Sequence, residues 1–242
     1  MIAIHCHILP GIDDGASSTE EALEMARLAA VTGVTQIAAT PHFDGTVEAL
    51  PRLAVIRETY RLLRSALIRA DIPLALRSGA EILCLPDTVE LARTHQLPTY
   101  EGTNYVLTEF YFDEAFAFMD QTLTGLLSCG YRPVVAHPER YNVIQRNPGL
   151  LRRWAKIGCT LQLNKGSILG RLGSNSEETA HEILSMGLAQ LIASDAHGCE
   201  NRTPHMDQLI RWAEETCEEA YARMLLVENP QRILEGKPLV GR

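Results

Sequence analysis

A chain of 242 residues that is 46% hydrophobic can bury one large core, so a single domain over residues 1–242 is the expected organisation. The formal net charge is −8 and lysine occurs only as Lys156, Lys165 and Lys237, which excludes a broad nucleic-acid-binding face. No apolar run is long enough to span a bilayer and no basic-then-apolar leader is visible, so a cytoplasmic protein without membrane insertion is expected.

The chain opens with the apolar segment Met1–Ile4, a strand running into His5-Cys6-His7. Side chains alternate along a strand, so His5 and His7 share one side with Cys6 between them. Asp13 and Asp14 follow in the next loop, and Asp14 is the carboxylate expected at the same mouth. A helix begins near Ser17–Glu21, with a capping box available as Ser17…Glu20 or Ser18…Glu21, and Gly33 is a natural stop. The buried strand Gln36–Thr40 ends in Pro41-His42. Leu53, Ile56, Tyr60, Leu63 and Leu67 recur at helical spacing and predict a helix over 50–70.

An extended stretch over 73–78 ends in Gly79-Ala80-Glu81, and a short helix over 86–93 follows. The strand Tyr105–Thr108 ends in Glu109, and after a helix over 114–128 the strand Pro133–Ala136 ends in His137-Pro138-Glu139-Arg140. A helix over 148–157 leads to the strand Thr160–Leu163, which ends in Asn164-Lys165-Gly166-Ser167. After a helix over 177–186, the strand Leu191–Ala193 ends in Ser194-Asp195-Ala196-His197. Arg202, Pro204 and His205 lead into the closing helices, the last started or broken by Asn229-Pro230. About seven short strands alternating with helices predict βαβ units around a parallel sheet, and at this length a closed or nearly closed barrel. No glycine-rich nucleotide loop follows any strand.

The chemistry-bearing residues fall at the strand ends. His5 with His7, His42, Glu81, Glu109, His137, and Asp195 with His197 each follow a different strand, and such ends converge on one face of a parallel barrel. Asp14 can reach the same mouth. Mixed imidazole and carboxylate donors suit Mn, Fe or Zn better than Ca or Mg alone, and two carboxylates late on separate strands can bridge ions, which favours two or three metals. Three divalent ions would leave the pocket positive for a phosphate dianion. With two, Arg140 and Arg202 would have to supply the attraction through their forked donors. His95 and His181 follow no strand and are not expected as ligands, whereas His205 is close enough in sequence to line the pocket. The six scattered cysteines read as reduced, mostly buried thiols.

These residues resemble the PHP (polymerase and histidinol phosphatase) superfamily, and within it the bacterial metal-dependent protein-tyrosine phosphatases of the CpsB/YwqE type from capsule and exopolysaccharide loci. The resemblance rests on His5-Cys6-His7, Asp13-Asp14-Gly15, Thr40-Pro41-His42, Gly79-Ala80-Glu81, Thr108-Glu109-Phe110, His137-Pro138-Glu139-Arg140-Tyr141, Ser194-Asp195-Ala196-His197 and Glu228-Asn229-Pro230, and covers nearly the whole chain. It implies a distorted, TIM-like parallel β/α barrel with a trinuclear, usually manganese-dependent site. The metal ligands it implies are His5, His7, Asp14, His42, Glu81, Glu109, His137, Asp195 and His197, with Arg140 and Arg202 holding phosphate. His42, Asp195, Arg140 and Arg202 form the implied catalytic set. The implied reaction is attack of a metal-bound hydroxide on a tyrosine phosphate, the substrate being a tyrosine autokinase of polysaccharide export. Two departures stand out: Ala3 occupies a position where the family commonly has Asp, and Thr203 one where it commonly has Pro.

A cysteine phosphatase needs Cys-x5-Arg; the sixth residue after Cys6 is Ile12, and Cys217…Arg223 encloses an acidic, glycine-free run. A histidinol-phosphate phosphatase or another small-molecule phosphoesterase of the superfamily would share the metals and differ at the rim. An inactive scaffold would carry the fold without turnover.

Overall fold

The computed structural model describes residues 1–241. Its strands are β1 (Ile2–Cys6), β2 (Gln36–Ala39), β3 (His42–Asp44), β4 (Ala75–Ser78), β5 (Glu81–Leu83), β6 (Tyr105–Glu109), β7 (Arg132–Ala136), β8 (Thr160–Asn164) and β9 (Leu191–Ala193). All pair in parallel, in one sheet of order β1-β2-β4 and another of order β3-β5-β6-β7-β8-β9. The fold is therefore mixed α/β with parallel sheets, as the alternating pattern predicts.

The strand count differs from the seven read in the sequence, because two of those seven are broken. Only Thr40-Pro41 separates β2 from β3, and only Gly79-Ala80 separates β4 from β5. Pro41 has no N–H to give a ladder, and glycine within a strand marks a kink or a close approach. Backbone bonds nevertheless bridge the breaks: Gly79 N donates to Ala39 O at 2.9 Å and Glu81 N to Pro41 O at 3.0 Å. At the other side, Asp195 N donates to His5 O at 3.1 Å and His7 N to Ala196 O at 2.8 Å, so the segment after β9 returns to β1. The carboxyl ends of the strands thus gather around one space.

Two apolar clusters hold this arrangement. Ile4, Ala38, Leu107, Val134, Ala136 and Leu191 belong to the smaller one, which takes residues from five different strands. The larger packs the other strand faces against helices and includes Met25, Phe43, Leu63, Trp154 and Ile183, all buried. Each fully buried side chain of this size stabilises the fold by about 1.5–3 kcal/mol. Neither cluster contains a residue of the expected metal site, so the scaffold does not depend on that site for its core.

Register in β1 explains how its histidines reach that site. Ala3 pairs with Ile37 but Cys6 with Ala39, so β1 carries one extra residue between them. Such a bulge re-aims side chains. Here it lets Ile4 enter the smaller cluster while His5 and His7 still face the strand ends, and Cys6 joins Ala3 in the larger cluster. Ala3 therefore packs among apolar side chains rather than beside the expected ligands.

Helix ends follow the sequence signals closely. The helix Thr19–Ala30 is capped by Ser18, whose Oγ accepts from Glu21 N, while Glu21 Oε2 reaches back to Ser17 N and Oγ. The helix Arg52–Arg69 buries Ile56, Leu63, Ala66 and Leu67. Pro230 sits in the first turn of Asn229–Leu234, and Asn229 Nδ2 donates to Gln190 O and Val240 O, tying the tail to the end of the fold. No helix among the described residues is long and apolar enough to cross a membrane.

Candidate metal centre

At the strand ends, donor atoms gather in three groups, each with its atoms mutually within 4.8 Å. One is His7, Asp14, His42 and His197; the second is His5, His7, Glu81 and Asp195; the third is His42, Glu81 and Glu109. Each pair of groups shares one residue: His7, His42 or Glu81. His137 lies outside these groups, but its Nε2 is 3.1 Å from Glu81 Oε1 and 3.4 Å from Glu109 Oε1. The structure thus brings together all nine residues read as ligands.

Hydrogen bonds from behind orient the imidazoles. His5 Nδ1–H donates to Gln162 Oε1 at 2.9 Å, His7 Nδ1–H to Asp13 Oδ2 at 2.8 Å, and His197 Nδ1–H to the Asp195 carbonyl at 3.0 Å. Each bond fixes a tautomer that leaves Nε2 facing the cluster, the way metal-binding histidines are commonly held. Asp195 Oδ1 and His197 Nε2 are buried and have no hydrogen-bond partner among the described residues. Buried polar atoms are rarely left so. A divalent cation is what this donor set fits.

The two carboxylates of the first loop divide their work. Asp14 Oδ1 faces His42 Nε2 at 3.4 Å and His197 Nε2 at 3.3 Å. Asp13 is turned away, accepting from His7, from His42 N at 2.9 Å and from Gly15 N at 3.0 Å. Gly15 is required there because a Cβ would lie 2.0 Å from the His7 carbonyl oxygen. Gly15→Ala is expected to cost about 1–3 kcal/mol of stability and to lower bound metal, read by urea midpoint and metal content. An unchanged midpoint with full metal content would contradict this account of the loop.

Charges in the cluster are strongly coupled. Burial opposes charging His5, but Glu81 and Asp195 outweigh it and raise its pKa. His7 meets the same burial and is raised to about 10 by Asp13 and Glu81. Burial and the neighbouring His7 push His197 down to about 4. Glu109 is raised to about 9 by burial and by the charges of Glu81 and Asp195. Glu81 and Asp195 are both held below the usual range despite burial, chiefly by His5. Metal-free, the cluster balances its carboxylates with protons.

Arg140 and Arg202 converge on Asp195: Arg202 Nη2 lies 2.5 Å and Arg140 Nη1 3.7 Å from its Oδ2. Asn164 Nδ2 donates to the same oxygen at 2.6 Å. Lys165, buried behind this contact and pushed down to about 8 by that burial, donates to the carbonyls of Thr203 and His205 and so anchors the segment carrying Arg202. His137, Asp195 and Arg202 all have positive φ, at 36°, 48° and 47°. Non-glycine residues in that region cost about 1–2 kcal/mol each, and such strain concentrates at functional sites.

Several partners escaped the sequence reading. Gln162, Asn164, Lys165 and Asp13 position functional groups without being metal donors in that reading, and Glu139 accepts from Asn164 N at 2.9 Å. The available signal was Gln162 and Asn164, two amides at alternate positions of a short, fully buried strand. His205 is not part of the cluster, since its Nδ1 pairs with Asp207 Oδ1 at 2.8 Å. His95 and His181 also lie elsewhere, against Tyr131 and Trp212. Cys6 is buried and its thiol is pushed up by that burial, which fits a packing role. Residues Glu219–Arg223 are helical, so the Cys217…Arg223 run is no anion-cradling loop.

This geometry agrees with what the chain is similar to. Tyrosine-protein phosphatase YwqE from Bacillus subtilis (strain 168) is 35% identical over 240 residues, covering 99% of this chain and 93% of the relative. A solved structure of YwqE from Bacillus subtilis and CpsB from Streptococcus pneumoniae, described as unique metal-dependent tyrosine phosphatases, superposes with a TM-score of 0.90 at 34% identity. The match covers 100% of this chain and 97% of that one. A lactonase from Listeria monocytogenes shares the fold alone, with a TM-score of 0.57 at 13% identity over 96% of this chain and 94% of its own. Residues 1–235 match the family described as capsular polysaccharide synthesis, CpsB/CapC, and the chain belongs to that family.

Proposed function

We propose that this chain is a metal-dependent tyrosine-protein phosphatase. The observation that carries the proposal is the junction of three donor groups, sharing His7, His42 and Glu81, with two arginines that meet on Asp195. His5, His7, Asp14, His42, Glu81, Glu109, His137, Asp195 and His197 would hold two or three divalent ions, manganese being the first choice and iron or zinc also suited to the donors. Such ions activate water and neutralise charge on phosphoryl oxygens.

The chain's own residues do the rest. Arg140 and Arg202 take the phosphate oxygens, with Asp195 holding both guanidinium groups at the cluster until substrate arrives. Gln162 and Asp13 fix the imidazoles of His5 and His7 so that little rearrangement is needed on binding. His42 is 34% exposed, the most open imidazole of the set, and stands at the entrance. Residues 1–242 act as one domain, in the cytoplasm, on a phosphotyrosine protein; a tyrosine autokinase of polysaccharide export is the substrate we favour.

The test compares Mn²⁺-loaded protein on a phosphotyrosine peptide, a phosphoserine peptide and histidinol phosphate, with metal content measured on the same sample. The phosphotyrosine peptide should show the highest kcat/KM. Faster turnover of histidinol phosphate would reassign the substrate class, and no turnover of any ester by metal-loaded protein would mark an inactive scaffold.

A further inference from the structure

The loop after β6 leaves two large aromatic side chains open at the surface, Tyr111 at 52% and Phe112 at 40% exposure. The loop is fastened on both sides of them. Asn142 N donates to the Phe112 carbonyl at 2.7 Å, and the buried Phe110 meets Tyr141 and Phe118 edge to face. The Phe112 ring is also placed: its centroid lies 6.1 Å from that of His137, and the Arg140 guanidinium carbon sits 4.4 Å from the ring centre. Apolar area of this kind left open beside polar chemistry marks a surface for a ligand's apolar part.

We propose that Phe112 is the specificity-determining residue for the aryl group of the ester. The inference rests on the reading of Arg140 as a phosphate-holding residue. With the phosphate on Arg140, the first atoms beyond the ester oxygen pass the open part of the Phe112 ring. A phenyl ring there gains an aromatic pair, and a small alkyl group does not. Such pairs favour the aryl ligand by about 2- to 12-fold. The contact with Arg140 adds a second effect, steadying the guanidinium for every phosphate ligand alike.

The two effects separate in a binding experiment that involves no turnover. Mn²⁺-loaded wild type, Phe112→Leu and Phe112→Tyr are titrated calorimetrically with phenylphosphonate, methylphosphonate and inorganic phosphate. Wild type and Phe112→Tyr should prefer phenylphosphonate to methylphosphonate by about 2- to 12-fold, and Phe112→Leu should bring that ratio close to one. A ratio unchanged in Phe112→Leu overturns the proposal, as does a wild type that shows no preference. Equal weakening of all three ligands in Phe112→Leu with the ratio kept would leave only the steadying of Arg140 and also overturns it. Failure of the phosphatase reading would show instead as absent phosphotyrosine turnover, in a separate assay.

Discussion

Asp195→Asn is expected to lower kcat/KM on a phosphotyrosine peptide by about 10³-fold, the several kcal/mol that catalytic cations and placed donors contribute to a transition state. No other residue of the site touches so many partners. Its carboxylate lies 3.3 Å from His5 Nε2, 3.6 Å from His7 Nε2, 3.6 Å from His197 Nδ1 and 2.5 Å from Arg202 Nη2. The amide keeps the shape and tolerates the left-handed backbone at φ 48°, which alanine would strain. It removes the charge that both a cation and the two arginines need. The fold should survive, because the amide fills the same space and the two apolar clusters that pack the strands are untouched. The measurements are steady-state kinetics with bound-metal content, and a urea midpoint for the fold. Wild-type turnover in this variant would remove Asp195 from the site.

Stripping metal with a chelator is expected to abolish turnover and lower the melting temperature without unfolding the chain. The apolar clusters hold the strands together without help from any of the nine residues. A ligand that binds only the folded state at one hundred times its Kd stabilises by about 2.7 kcal/mol, which for a chain of this size raises the melting temperature by about 5–10 °C. The physical source is the cluster itself. Metal-free, Glu81 and Asp195 sit buried with their charge offset by protonated imidazoles, and bound cations would take over that offset. Differential scanning calorimetry with and without Mn²⁺ checks the shift. Identical melting temperatures at saturating Mn²⁺ would mean that the donors do not bind it in the folded chain.

Much of this site was legible in the sequence because each metal-capable residue follows a short apolar strand, and parallel strands deliver their carboxyl ends to one face. His42, Glu81, His137 and Asp195 are found by that rule alone. The rule missed groups that work through their neighbours. Gln162 and Asn164 end a strand with amides, which attract no attention when the search is for imidazoles and carboxylates, yet they orient His5 and Asp195. Asp13 and Asp14 are chemically identical in the sequence. Only the turn made possible by Gly15 separates the one that faces His42 and His197 from the one that holds His7.

The fold was legible to the same depth. Alternating strands and helices gave the parallel arrangement, but the breaks at Thr40-Pro41 and Gly79-Ala80 depend on which backbone groups find partners across the sheet. The extra residue in β1 is likewise a matter of register against β2, invisible in the β1 sequence itself. Helix ends near Ser18 and Asn229 were readable because their signals are local.

A metal titration of chelator-treated protein, with bound ions per chain and phosphotyrosine-peptide turnover read on each sample, tests the metal dependence most directly. Metal-free protein should show no turnover, and turnover should rise with bound Mn²⁺ to the level of untreated enzyme. Full turnover in protein shown to hold no metal would contradict it.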